Sequence, residues 1–290
     1  MSIVTLKNKK SYWRKNTPGS PFCYPNLGKL IGRNRWDKIW QALHFNDPTK
    51  ALPPTHPDFD KLFKMRPVVD GLNAAFLEAW SFGDSVSVDE GMIAYKGRTY
   101  LRQYMPKKIV KWGFKIWGLA CSYSGFCGSF KVEGGVRPGE KARKDLGPTV
   151  VRELVSMATL ERGTTVYCDR YFTSVGLAVG LRRKGFHFVG TIVPNRKFIP
   201  KEALFGKDER PERGAIKSAV CKKNRLRFLK WVDNEKVCIL STKLSVSKTV
   251  ASRRKGKKSD GRRSHPPLFS QHVCFQPIFN FFCDAYYITT

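Results

Sequence analysis

Hydrophobic and polar positions recur along this chain with two different periods. In residues 35–45, Trp36, Ile39, Trp40 and Leu43 stand at helical spacing, which predicts a helix ended by Asn46-Asp47-Pro48. From Lys61 to Trp80, apolar residues at 62, 65, 69, 72, 76 and 79 predict a second helix, kinked by Pro67 or beginning there. The period then falls to two. Ser85 to Ile93 reads as a strand, and Lys111 to Val132 as two more, joined by a turn at Ser122-Tyr123-Ser124-Gly125. Val150 to Leu160 is helical again, with Val151, Leu154, Val155 and Ala158 on one side. Thr164 to Asp169 is a short strand. Thr173 or Ser174 is placed to cap a helix that runs to Lys184, with Gly185 closing it, and Phe186 to Val193 is a further strand.

The order from 85 to 193 is therefore β-β-β-α-β-α-β. Three strands followed by alternating helices and strands predict an α/β fold, a mixed sheet flanked by helices in the order of an RNase H-like core. An N-terminal helical region (35–84) precedes it, after a basic, turn-rich lead-in (1–34). The core is read as 85–200. A β-rich insertion (201–242) follows, with strands at Gly214–Cys221, Leu226–Trp231 and Val237–Ser241 and a turn at Asp233-Asn234. Residues 243–263 carry nine basic side chains against the single acid Asp260, which predicts a solvated arm. Residues 264–290 are rich in aromatics, nearly uncharged and without a period.

Composition narrows the function. Lys and Arg number 53 against 23 Asp and Glu, a formal charge of +30. Such an excess predicts a polyanionic partner, first of all nucleic acid. No apolar run is long enough to span a membrane, and the first residues lack the apolar core of a secretion signal, so neither membrane nor export is expected. Eight cysteines stand without a Cys-x-x-Cys pair, so they read as reduced thiols, several of them buried, rather than as a disulfide framework or a zinc site. Trp36, Trp40, Trp80, Trp112 and Trp117 are expected in the core.

Two carboxylates stand out. Asp89 ends the first predicted strand and Asp169 the fourth, and those strands are neighbours in an RNase H-like sheet. Paired carboxylates repel and favour a divalent cation. Magnesium suits a site of few carboxylates, waters and phosphate oxygens, where it would activate water against a phosphodiester. The alternative is that both residues simply end strands. Arg98, Arg102, Lys107, Lys108, Lys111 and Lys115 surround Trp112 and could hold DNA phosphates or form a solvated charged face. Arg170 could pair with Asp169 or with phosphate. Arg182, Arg183 and Lys184 complement a helix dipole.

At this point the sequence resembles the piggyBac-type transposases, cut-and-paste DNA transposases of the DDE class. The matching blocks are Arg35 to Asp47, Asp60 to Asp70, Ser87 to Arg98, Gln103 to Lys115, Val166 to Ser174, Gly190 to Lys197, and Trp231 to Thr242. They run in family order over about residues 12–255. The resemblance implies that Asp89 and Asp169 are the first and second catalytic carboxylates and bind Mg2+ or Mn2+. It implies double-stranded DNA as partner (transposon ends and a TTAA target) and hydrolysis followed by strand transfer in the nucleus. Synapsis of two ends would suit a homodimer. Arg253, Arg254, Lys255, Lys257 and Lys258 read as a nuclear localisation patch or a DNA arm.

The sequence also departs from the family. The third carboxylate belongs to a Tyr-Asn…Met-Gly-Gly-Val-Asp block, and no such block stands here. The resemblance fades after Lys258, Asp284 has other neighbours, and the cysteine-rich zinc module is missing. The expectation is an incomplete metal site with little or no strand transfer, and a tail (264–290) from another reading frame or a false exon, poorly ordered. The alternative reading is a non-catalytic, domesticated or decayed nuclear DNA-binding protein. An RNA-binding protein ranks below both, for want of any RNA-binding module.

Overall fold

A computed structural model describes residues 6, 8–16, 18–19, 25–134, 145–206, 209–232 and 235–243. The basic arm beyond Lys243, the tail and the turn at Asp233-Asn234 lie outside these residues. The helices are α1 (Arg33–Ala42), α2 (Arg66–Ala79), α3 (Leu146–Met157) and α4 (Val175–Arg183). The strands are β1 (Ser85–Ala94), β2 (Gln103–Tyr104), β3 (Trp112–Cys121), β4 (Cys127–Val132), β5 (Thr165–Cys168), β6 (His187–Thr191), β7 (Ile216–Cys221), β8 (Leu226–Val232) and β9 (Lys236–Ser241). The chain divides into two compact units. Among the described residues, one holds those up to Leu72 with Met92–Lys115, and the other holds Asn73–Gly91 with everything from Ile116 on.

In the second unit the strands form a mixed sheet in the order β3-β1-β5-β6-β9-β8-β7, with β4 on β3. β1, β5 and β6 run parallel in register, Ser85 opposite Thr165 and Thr165 opposite His187. The hairpin of β8 and β9 adds to this sheet through β9, antiparallel to β6, and β7 closes the far edge. The strands read as an insertion thus continue the core sheet.

The alternation of β1 explains its placement. Val86 and Val88 are fully buried, as are Val166 and Cys168 opposite them, and they meet Val151 and Leu154 of α3 and Leu177 and Leu181 of α4. The Ser87 and Ser122 hydroxyls bond to each other at 2.9 Å. The Ser174 side chain caps α4 by accepting from the Leu177 N–H at 3.1 Å, and Gly185 closes the helix with φ +92°. α3 begins at Leu146, earlier than the apolar pattern indicates, because Pro148 fits a first turn whose N–H groups have no helical partner. β4 is an edge strand. The Asn73 amide binds both backbone groups of Phe130, donating to its carbonyl at 3.0 Å and accepting from its N–H at 2.8 Å.

In the first unit, Trp36 of α1 lies between Trp13 and Trp40, each ring centroid 6.1 Å away. Asp60 takes the Arg66 guanidinium through two hydrogen bonds of 2.7 and 2.8 Å, which hold its carboxyl below the usual range. Pro67 stands in the first turn of α2, so it starts that helix rather than kinking it. β2 pairs with the first residues of β3. Two of the expected core tryptophans are corrected: Trp40 is 60% exposed and Trp112 is 48% exposed, while Trp117 is buried. Helical or strand spacing shows which residues share a face, not whether that face finds a partner. Of the eight cysteines, Cys121, Cys127, Cys168, Cys221 and Cys238 are described, all free thiols, with Cys121, Cys168 and Cys238 buried.

Candidate active site

The parallel ladder between β1 and β5 ends at Val88 opposite Cys168. Asp89 follows Val88 inside β1, which runs on to Ala94, so it does not end that strand as the sequence suggested, because β1 continues beside β3 after β5 stops; Asp169 is the first residue beyond β5. Parallel pairing in register keeps side chains one step on facing the same way, so the two carboxylates are neighbours across the strands. Both charges bear on the buried Cys168 thiol. Its pKa is pushed well above the ordinary value, first by burial, then by Asp169 and Asp89.

Each carboxylate is held by its own backbone. Asp89 Oδ1 accepts from the Glu90 N–H at 2.8 Å. Asp169 Oδ1 accepts from the Tyr171 N–H at 2.7 Å, forming an Asx turn. The Asp169 carbonyl is bound twice by Thr173, from its N–H at 3.1 Å and its hydroxyl at 2.7 Å. Phe172 and Thr173 are fully buried and anchor the turn. Two glycines let the backbone close on it. A Cβ on Gly147 would stand 2.7 Å from the Tyr171 carbonyl, and one on Gly190 would strike the Thr173 hydroxyl.

Burial pushes the Asp169 carboxyl above the usual range. The Tyr171 N–H opposes this, the Glu90 charge adds to it, and the Phe172 N–H and Arg170 also oppose it. The Tyr171 phenol is raised as well, by burial and then by Glu133, Glu90 and Asp169. Negative charge thus reaches this turn from more than one side, Glu90 bearing on Asp169 and Glu133 on Tyr171. Asp89 and Asp169 are the residues that would hold a divalent ion. Among the described residues, no group of three or more His, Cys, Asp or Glu side chains is arranged to hold a metal.

Of the predicted DNA contacts, Arg170 lies beside Asp169 and is exposed. Arg98, Arg102, Lys107, Lys108, Lys111 and Lys115 belong to the other unit, on and around the hairpin of β2 and β3. There Arg102 lies over the Trp112 ring at 4.8 Å and donates to the Lys96 and Gly97 carbonyls. Arg98, Lys107 and Lys111 are exposed. Arg253, Arg254, Lys255, Lys257 and Lys258 lie outside the described residues. Sequence reasoning passed over Glu90, Glu133, Tyr171 and Arg196. Arg196 grips the Asp169 turn, donating to the Arg170 and Tyr171 carbonyls at 3.4 and 3.3 Å. The signal for it was the basic Asn195-Arg196-Lys197 run directly after β6.

Comparison with known proteins bears on the family and the fold. A protein family described as "Transposase IS4" matches residues 1–274, which extends beyond Lys258. PiggyBac transposable element-derived protein 2 of Homo sapiens is 26% identical over 275 residues, covering 91% of this chain and 44% of its own length. PiggyBac transposable element-derived protein 3 of Homo sapiens is 25% identical over 245 residues, covering 82% of this chain and 39% of its own. The fold is similar to that of a piggyBac transposase solved by cryo-EM as a synaptic complex with hairpin DNA. The TM-score is 0.62 at 24% identity, over 79% of this chain and 46% of that one. The chain spans less than half the length of each of these relatives.

Proposed function

The chain belongs to the piggyBac-type transposase family, and from that premise we propose that it is a transposase-derived DNA-binding protein whose Asp89 and Asp169 hold Mg2+ or Mn2+ against a phosphodiester. The observation that carries this reading is the register of β1 and β5, which makes the two aspartates neighbours where their ladder ends. The acidic surroundings of Asp169 fit a cation, because burial and the Glu90 charge make its lone carboxylate unfavourable. When bound, the metal would supply Lewis-acid stabilisation of phosphate oxygens and a more acidic water.

The chain's own groups do the rest. The Tyr171 and Glu90 N–H groups fix the two carboxylates, and Arg170 presents a cation beside Asp169 for a phosphate. The net charge of +30 gives long-range attraction to DNA. Transposon ends and a TTAA target are the DNA this reading names, the nucleus is its place of action, and strand hydrolysis and transfer are its chemistry by descent. Two carboxylates fix a metal less firmly than three, and rate is sensitive to that geometry. Little strand transfer is therefore expected from this chain.

A second reading is DNA binding without chemistry, for which the net charge of +30 is sufficient support. One experiment separates the two. The full chain is melted with and without Mn2+, and duplex DNA containing TTAA is tested for binding and nicking. The leading reading expects a Mn2+-dependent rise in melting temperature that Asp89→Asn and Asp169→Asn each remove, and any nicking to vanish with them. DNA binding without a Mn2+ effect in the parent leaves the second reading. No DNA binding by the parent overturns both.

A further inference from the structure

Phe198 is the residue whose placement the fold does not account for. It follows β6 in the loop Pro194-Asn195-Arg196-Lys197-Phe198-Ile199, with φ +68° and 83% of its surface exposed. A bulky side chain in the left-handed region is strained, and strain of this kind persists only where the surroundings impose it. Burial does not repay it, because the ring is in solvent.

The surroundings do impose it. On one side of Phe198, Arg196 is tied to the turn that carries Asp169, through the Arg170 and Tyr171 carbonyls, and its N–H is held by the Val193 carbonyl at 3.1 Å. On the other side, Ile199 packs against the core. The ring is thus presented on a braced loop fastened to the metal-site turn. Lys197, its chain neighbour, is exposed, and the turn that Arg196 grips carries Arg170 and Tyr171, both exposed. Pro194, Asn195 and Lys197 around the ring are exposed and do not build an apolar patch, so the surroundings do not suit a protein docking face.

We propose that Phe198 is a stacking platform for an unpaired nucleobase of DNA held at the Asp169 turn. The inference rests on the DNA-binding reading above and names the form of DNA the site takes. A projecting aromatic ring flanked by cations fits a base taken out of the stack, with its neighbouring phosphates on Lys197 and Arg170. The bases of a continuous duplex are already stacked on each other and offer the ring nothing.

The test uses the full chain and two fluorescein-labelled DNAs: a continuous duplex, and the same duplex with a short central stretch of unpaired nucleotides. Phe198→Ala is expected to weaken binding to the unpaired DNA about five-fold or more, while leaving the continuous duplex within about two-fold. Phe198→Trp restores the loss. A 2-aminopurine in the unpaired stretch is quenched by the parent and by the Trp variant but not by the Ala variant. Thermal melting confirms that the variants fold, as an exposed position requires. An equal loss on both DNAs, or no loss on the unpaired one, overturns the stacking role and leaves DNA binding intact. Failure of the parent to bind either DNA overturns the stacking role together with the reading it rests on.

Discussion

Asn73 offers the sharpest test of how the second unit is held. It lies in α2, is 7% exposed, and treats Phe130 as a neighbouring strand would, giving one hydrogen bond and taking one. β4 has β3 on one side only, so nothing else in the sheet serves these groups of Phe130. In Asn73→Ala, both become buried without partners. Each such group costs about 1–3 kcal/mol, and some water entry into the space left behind lowers the sum, so we expect a loss of about 2–4 kcal/mol. For a chain of this size that is a fall of about 5–12 °C in melting temperature. The assay is urea unfolding followed by tryptophan fluorescence, in which the midpoint falls and the slope stays the same. Asn73→Asp separates hydrogen bonding from packing. It keeps the acceptor for the Phe130 N–H but sets a carboxylate oxygen against the Phe130 carbonyl. It should be less stable than the Ala variant at pH 7 and recover as the pH falls and the carboxyl gains a proton to donate. An Ala variant within about 0.5 kcal/mol of the parent would refute the reasoning, since that is the scale of an ordinary surface change.

Asp169 has a raised carboxyl in the fold, so the folded state holds its proton more firmly than the unfolded chain does. Its charge therefore costs stability, a cost absent well below pH 3.8 and complete once the pH passes its raised value. Asp169→Asn should melt higher than the parent at pH 7 without divalent ions, and that advantage should vanish in acid and shrink when Mn2+ is added. A lower melting temperature at pH 7 without Mn2+ would show that the carboxylate is a structural asset instead. Gly190→Ala should destabilise by about 1–3 kcal/mol through the clash with the Thr173 hydroxyl, read as a lower urea midpoint, and should weaken Mn2+ binding by moving the Asp169 turn. Duplex affinity, followed by anisotropy, should fall by about 10²-fold between about 50 and about 200 mM salt for roughly four phosphate contacts; a flat salt dependence would contradict an electrostatic interface.

Much of the fold was legible because local chemistry and global placement agree in it. Ser174 and Gly185 announce the ends of α4 by the conformations they favour, and the alternation of Val86 and Val88 announces which face of β1 is buried. The pairing of Asp89 with Asp169 was legible because each follows a stretch whose alternate residues are apolar and whose strands are neighbours in an RNase H-like sheet, although β1 runs on past Asp89 to Ala94. What escaped depends on partners distant in sequence. Asn73 interrupts an apolar stripe, and only Phe130, 57 residues on, explains it. Trp40 and Trp112 follow a regular spacing but lie exposed, because period does not report what stands opposite. The hairpin of β8 and β9 and the strand β6 were each visible, whereas the pairing of β9 with β6 was not. Nothing local marks Phe198 for a left-handed backbone, which the bracing by Arg196 and Ile199 imposes.

These features converge on one end of the parallel strands. β5 and β6 run the same way, and their C-terminal loops carry Asp169 and Phe198. Ligands of α/β sheets gather beyond the carboxyl ends of such strands, because loops there change without disturbing the hydrogen-bonded ladder. Two costs are concentrated at that end: a carboxylate whose ionisation the fold opposes, and an aromatic ring on strained backbone. Neither contributes to packing, and the core of Val86, Leu154, Leu177 and Phe188 would be complete without them. Under the two proposals above, each would become favourable with a different part of the same ligand, the carboxylate with a cation at a phosphodiester and the ring with a base beside it. If both costs arise from one ligand, relieving them together should be additive for the free protein and not for the complex. Asp169→Asn combined with Phe198→Gly should then raise the melting temperature by the sum of the two single changes. On unpaired DNA in the presence of Mn2+, the double variant should lose less affinity than that sum, since either change alone already loosens the ligand from the other.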